Sequence, residues 1–276
     1  MTKEEIIRKK KIYEWIQVIG ILLSVTGFLS FIVNPYMGFV VIGFGIVLTI
    51  ITPSMFKKLS NSYKESYVKE AILSSITNAT YDPQRGFSKE EVYNAGVLLK
   101  QDRFSSEDMI TGYINDHYFR CADVHLQDVR SNGKTTTVVT IFRGRYYEIT
   151  TERIFPEPIH ILNNNTTLFG KRNSLEKIEL EWIDFNKMFD VFSSSQFETF
   201  KLLKPNVMEQ IVHLKRKYNK LVMGFIGNKV ILAINNQKDA FDLKMFRPFN
   251  DHYIKEIKDE FKELEEMISV LENILN

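Results

Sequence analysis

From Trp15 to Phe56 the chain runs 42 residues without one Asp, Glu, Lys or Arg. At a rise of ~1.5 Å per residue that run makes ~60 Å of helix, twice the ~30 Å of hydrocarbon in a bilayer. Asn34-Pro35 falls at its midpoint, where proline lacks a donor and disfavours helix in the residue before it. The run therefore reads as two spans, residues 12–33 and 36–52, joined by a very short turn. A signal peptide would stop after one apolar run with a small-residue cleavage site, and here a second run follows at once. A buried hairpin of a soluble core rarely keeps so long a stretch free of charge.

The flanks predict an orientation. Arg8, Lys9, Lys10 and Lys11 precede the first span, Lys57, Lys58 and Lys64 follow the second, and the turn between carries no charge. The positive-inside rule then puts both termini of a multi-pass protein in the cytoplasm, under the plasma membrane. The lone cysteine, Cys121, agrees, since it cannot close an internal disulfide and suits a reducing compartment. On that topology the sequon Asn165-Thr166-Thr167 never meets a glycosylation machinery. Residues 1–53 form the anchor and 54–276 a cytoplasmic domain. A net charge of +2, with 25% of residues charged, is too balanced for a nucleic-acid binder that relies on a positive field.

Past the spans, residues 54–78 read as an amphipathic helix, with Phe56, Leu59, Tyr63, Tyr67, Ala71 and Ile72 at three- and four-residue spacings. Residues 81–86 read as a turn, and Ser88 with Glu91 forms a capping box that opens a helix through Leu99. From Ile110 onward β-branched and aromatic residues dominate. Asn132-Gly133 predicts a hairpin with a type I′ turn, and Gly227-Asn228 predicts a second hairpin. Residues 163–173 read as a polar loop and 175–182 as a strand. Helices are expected over 195–203 and 206–218, then over 250–275, where Ile254, Ile257, Phe261, Leu264, Ile268, Leu271 and Leu275 repeat by threes and fours. That last helix either packs within the chain, against the helix after the spans, or offers a seam for a second copy of the chain. The width of its stripe, broadened by Met267, Val270 and Ile274, favours the first. The fold class is α+β, a two-helix hairpin followed by antiparallel β-hairpins with flanking helices.

Several motifs in this order resemble a known family. They are Ser106-Glu107-Asp108 with Gly112, Phe142-Arg143-Gly144-Arg145-Tyr146, Phe189-Asp190-Val191-Phe192-Ser193-Ser194, Leu203-Lys204-Pro205-Asn206-Val207-Met208-Glu209, and Gly224-Phe225. Together with the two spans they are similar to the bacterial family catalogued as domain of unknown function 3137, some of whose members carry the label galanin. The chain departs from the family's usual Ser-Asp-Asp at Ser194-Ser195-Gln196, and from its Leu-Thr-Pro at Leu203-Lys204-Pro205. The resemblance implies a membrane-anchored bacterial α+β domain and no assigned activity.

Motifs for chemistry are scarce. The sequence has neither a P-loop nor a dinucleotide-binding glycine pattern after a strand, and neither a zinc-protease helix motif nor a nucleophile elbow. His117, Cys121 and His125 recur every four residues. On a strand four residues span ~13 Å, whereas zinc needs all its ligands within ~2.0–2.3 Å, so no metal and no cofactor are expected. Cys121 reads as a small buried hydrophobe. Glu107-Asp108 after two serines suits the start of a helical turn. The run Lys215-Arg216-Lys217 suits a helix C-terminus, where cations meet the dipole. Alternatively, with Lys57 and Lys58, it would contact anionic lipid headgroups.

The Arg143-Gly144-Arg145 box is the hardest to place. Strict alternation puts both arginines on one face with Val139, Ile141, Tyr147 and Ile149, so neither face is cleanly apolar. A bulge at Gly144 would resolve that, leaving the arginines to pair with carboxylates. The competing reading makes Arg143 and Arg145, with His160, members of a ligand site. An RNA-reading strand would need more exposed aromatics and a basic surround. With no catalytic constellation, the chain is expected to act by binding, as a membrane-anchored adaptor with a protein partner. The alternatives are an enzyme or transporter accessory with a site assembled from distant residues, and a sensor of anionic lipid.

Overall fold

Thr2 and Asn34 set the starts of two long helices in the computed structural model, which describes residues 2–164, 175–237, 241–249 and 252–275. The Thr2 hydroxyl accepts from Glu5 N while the Glu5 carboxylate accepts from Thr2 N, a complete capping box for α1, Lys3–Val33. Asn34 alone is extended. Its side chain accepts from Tyr36 N and Met37 N and so caps α2, Pro35–Tyr63, whose Pro35 sits where no donor is needed.

These helices belong to the first of two compact units, Met1–Ala71 with Phe241–Lys255; the second is Ile72–Ala240 with Glu256–Asn276. Within the first, α1 and α2 pack through small residues. A Cβ added at Gly45 would lie 2.5 Å from Ser24 Oγ and 2.7 Å from Gly20 O, and one at Gly38 would lie 2.6 Å from Phe31 Cα. Such close approach is how helices associate where lipid removes the hydrophobic drive. Gly20 and Gly27, and Gly38 and Gly45, are each seven residues apart, a pairing signal that hydropathy does not carry. The outer faces stay bare: Phe28 is 68% exposed, Ile32 78% and Val40 71%. Both helices are long and apolar enough to cross a membrane.

The helix expected over 54–78 is not a separate element. α2 passes Pro53 unbroken to Tyr63, continues through a π-turn at Lys64–Val68 into α3, Lys69–Leu73, and stops there. Thr77–Asp82 is instead a strand, β1, because Thr80, Tyr81 and Asp82 pair with Thr111, Ile110 and Met109 on β2, Arg103–Ile114. Residues 241–249 fold against the helices of their own unit. The Lys64 ammonium, buried at the π-turn, meets the Asp242 carboxylate at 2.7 Å, and Ser60 Oγ donates to the same carboxylate at 3.1 Å. The Glu14 carboxylate accepts from Phe246 N and pairs with Lys10.

The second unit is one antiparallel seven-stranded sheet with helices against it, so both expected hairpins share it. β3, His117–Ser131, and β4, Thr136–Asn163, form the hairpin at Asn132-Gly133. The type I′ expectation fails, since Ser131 pairs with Thr136 and leaves a four-residue loop with positive φ at Gly133 but not at Asn132. Asn132 instead closes the loop with its side chain, accepting from Lys134 N and Thr135 N. The capping box at Ser88 is present, but its helix, α4, Lys89–Asn94, ends early at Gly96, which takes φ +66°.

β7, Leu221–Ile234, doubles back on itself. Asn235 N donates to Lys220 O at 3.0 Å, whereas a straight strand of that length would hold its ends ~45 Å apart. The midpoint is Gly227-Asn228, with Gly227 at φ +58°, so the expected second hairpin is there. β4 wraps around it: residues 145–150 pair with 234–229 on one arm, and 159–161 with 225–223 on the other. The bend lies between, where Pro156 and Pro158 have no ladder donor to lose. β6, Phe189–Ser193, lines the far half of β4, and β5, Glu176–Ile178, is the edge. The predicted strand over 175–182 is thus only three residues long and is followed by α5, Ile183–Met188. Of the predicted polar loop, residues 165–173, including the sequon, lie outside the described residues.

Two further helices match their expected ranges: α6, Gln196–Leu202, capped by Ser195, and α7, Pro205–Lys217. One face of the sheet buries Ala122, Val124, Leu126, Phe142, Tyr146 and Ile231 against Phe87, Val92 and Leu98. The last helix, α8, His252–Leu275, buries Ile257, Phe261, Leu264, Ile268 and Leu271. Its polar contacts reach β3, β4 and the end of α7 through His117–Glu272, Arg145–Glu260 and Lys217–Glu266.

Candidate functional site

The alternation problem at the Arg-Gly-Arg box is solved by a bulge, but not at the glycine. Leu126 faces Phe142 and Gln127 faces Thr140, so Ile141 is the extra residue. Downstream of it Phe142 and Tyr146 enter the core, and Arg145 and Tyr147 turn to the opposite face, toward α8. Gly144 serves another end, close approach: a Cβ there would sit 2.1 Å from Ile234 O.

Arg145 is 2% exposed. Its Nε donates to the Glu260 carboxylate at 2.6 Å, and its Nη1 lies 3.2 Å from Asp123, directly opposite on β3. Burial alone would lower the guanidinium pKa, but the Asp123 and Glu260 carboxylates override it and hold the proton more firmly than usual. Tyr147 OH also donates to Glu260, at 3.3 Å, and burial, reinforced by that carboxylate, pushes the phenol well up. Cys121 faces Tyr147 across the ladder, and burial pushes its thiol up to about 12, which makes it inert as a nucleophile near neutral pH.

Asp108 is the residue that sequence reasoning misplaced. Glu107-Asp108 lies within β2, not at a helix start, and a register shift between Glu107 and Ile110 turns Asp108 inward at φ +61°. It is fully buried and accepts a hydrogen bond from Tyr81 OH at 2.5 Å. Burial first, and Asp108 second, raise the Tyr81 phenol. The only hint in the sequence is that aspartate tolerates positive φ better than most residues. On the other side of the sheet Arg120 joins Glu91 at 2.9 Å and Glu148 at 2.8 Å, and Lys229 joins Glu148 at 3.1 Å. These are closed networks of paired charge, suited to fixing elements rather than to moving protons in a substrate.

The three residues predicted for a ligand site occupy separate places. Arg145 lies under α8. Arg143 borders a recess of about 40 Å³ with Ser105, Ser106, Glu107 and His125, room for about one water. His160, buried on β4, lines a different cleft of about 580 Å³ beside α4 and the β7 turn. Of the predicted headgroup cations, Lys57, Lys58 and Arg216 are exposed. Lys217 pairs with Glu266 at 2.7 Å. Lys215 donates to Asn163 and to the Asn219 carbonyl and lies over the Phe189 ring, and burial lowers its pKa. His117, Cys121 and His125 are strung along β3, and no metal-binding group of three or more is found among the described residues.

No curated protein matches the chain. The crystal structure of the mycobacterial trehalose monomycolate transport factor A, TtfA, is similar at 9% identity over 73% of this chain and 92% of that one, with a TM-score of 0.39. Likeness at that level carries no argument about function. Residues 140–275 match the model of a family described as a protein of unknown function, DUF3137. The match begins inside β4, so Ser106-Glu107-Asp108 and Gly112 lie before it. From residue 140, inside β4, to residue 275, just under half of its length, the chain is similar to this family of unknown function.

Proposed function

We propose that the chain is a membrane-anchored binding protein, held in the plasma membrane by α1 and α2 with both termini in the cytoplasm, whose sheet unit engages a protein partner as an adaptor. The observation that carries the reading is the contrast within α1 and α2. Gly20, Gly27, Gly38 and Gly45 sit in tight contact, while large apolar side chains such as Phe28, Ile32 and Val40 point outward uncovered. A core helix would bury those side chains; a bilayer covers them. The closed charge pairs around Arg145 and Arg120 favour a scaffold over a catalyst.

The topology is tested with single cysteines, for which buried Cys121 gives little background. In intact cells, a membrane-impermeant maleimide should label Tyr36→Cys and should label Lys204→Cys only after permeabilisation; the reverse pattern overturns the orientation. The adaptor role is tested by crosslinking the full chain in cells. A reproducible stoichiometric protein adduct is expected, and its absence at every exposed position tried would remove the reading.

A further inference from the structure

The cleft beside α4, which no role above absorbs, has a volume of about 580 Å³, within the size range of small-ligand sites. Its wall comes from the end of α4 and the loop after it, with Tyr93, Leu98, Leu99 and Lys100, and its other side from Pro156, Pro158 and His160 on the bend of β4. The bend decides which groups face it: Glu157, between the two prolines, lines a different pocket with Glu198 and Lys201. So, among the described residues that line the cleft, the ionisable ones are Lys100, His160 and Tyr93, and none is a carboxylate. Lys100 is exposed and His160 is buried, and Tyr93, Asn94 and Phe155 join the aliphatic and proline side chains of the lining. An ammonium and an imidazole on a lining that includes no carboxylate, beside apolar walls, favour one kind of occupant.

We propose that this cleft binds a small organic anion, an apolar body lying on Leu98, Leu99 and the prolines with a carboxylate or phosphate head toward Lys100 and His160. The inference does not depend on the membrane topology or on a protein partner, and its failure leaves those readings standing. The same head chemistry is carried by soluble acids and by anionic lipids, and the test separates the two sources.

The probe is 4-phenylbutyrate, titrated against the full chain in nanodiscs of phosphatidylcholine, with binding read from histidine-selective NMR shifts and from saturation transfer to the probe. Saturable binding that moves the His160 resonance is expected, at least tenfold tighter than for the neutral amide of the same acid. Lys100→Glu lies at an exposed position, and it should weaken binding about tenfold or more with the fold intact. Leu99→Trp should block binding by filling the cleft. Adding phosphatidylglycerol to the discs should displace the probe if the source is lipid and leave it bound if the source is soluble; either result keeps the site. Equal affinity for acid and amide, binding unchanged in Lys100→Glu, or saturation without a shift at His160 would each overturn the proposal.

Discussion

Arg145 on β4 and Glu260 on α8, 115 residues apart in sequence, meet at 2.6 Å beneath the C-terminal helix. The guanidinium is almost wholly enclosed and also faces Asp123, so one cation holds two carboxylates from two other elements. A buried pair of this kind is weak evidence of net stabilisation. Breaking it from one side is costly, because the partner charges stay behind without compensation.

Arg145→Met should therefore destabilise the sheet unit by roughly 3–5 kcal/mol. Arg145→Met combined with Asp123→Asn and Glu260→Gln should recover a large part of that loss, since no stranded charge remains. Thermal denaturation of the full chain in detergent, followed by Trp182 fluorescence, measures both. Equal loss in single and triple variants would mean that packing, not charge, is what the arginine supplies.

Two glycines in the same sheet should respond differently to alanine. At Gly144 the new methyl would collide with the Ile234 carbonyl, a backbone group that cannot step aside, and a loss of at least ~2 kcal/mol is expected. At Gly227 nothing lies within 4 Å of an added Cβ, and the cost is only that of holding an L-residue at φ +58°, about 1 kcal/mol. Asparagine at 227 should cost less than alanine there. Urea denaturation of the three variants gives the ranking directly.

Acid should loosen α4 first. Glu91 is exposed, and although its partial desolvation by itself raises its pKa, hydrogen bonds from Ser88 N and from Arg120 outweigh that and hold the carboxyl below its usual range. A carboxylate depressed in the folded state contributes stability above its unfolded pKa of ~4.3 and loses it as pH falls through the folded value. Glu91→Gln should therefore be less stable than the parent at neutral pH and show a flatter decline on the acid side. Denaturation midpoints between pH 7 and pH 3 test this, and parallel curves for the two proteins would refute it.

Cys121 should be close to silent. With its thiol pushed up to about 12, the thiolate fraction at pH 8 is on the order of a thousandfold below that of a free cysteine, before burial is counted. Reaction of the full chain with a disulfide reagent should be slow until denaturant is added. A rate near that of free cysteine would mean that α8 lifts from the sheet on the timescale of the reaction.

The elements set by local chemistry were legible. Ser88 with Glu91, Ser195, Pro205 and the two Gly-containing turns stand where the sequence alone places them, because caps and turns are decided within a few residues. What decides Arg145 is Asp123 and Glu260, and what decides Asp108 is a shift in the pairing of β2 with β3. Neither partner is within reach of a sequence window. Broken alternation predicts a bulge and points to Gly144, the permissive residue, whereas Ile141 carries it. The glycine was needed because another strand end passes too close for a side chain.

The wrapping of β4 around the β7 hairpin has a practical consequence for anyone cutting this chain. The family match begins at residue 140, four residues inside β4, and a fragment started there keeps the hairpin and its encircling strand. It also removes β3, leaves the first half of β4 as a bare strand edge, and takes Asp123 away from Arg145. Such an edge is a template for pairing with another fragment. A piece that keeps β1, β2 and β3 in place beside β4 begins near Ile72, well before the matched region.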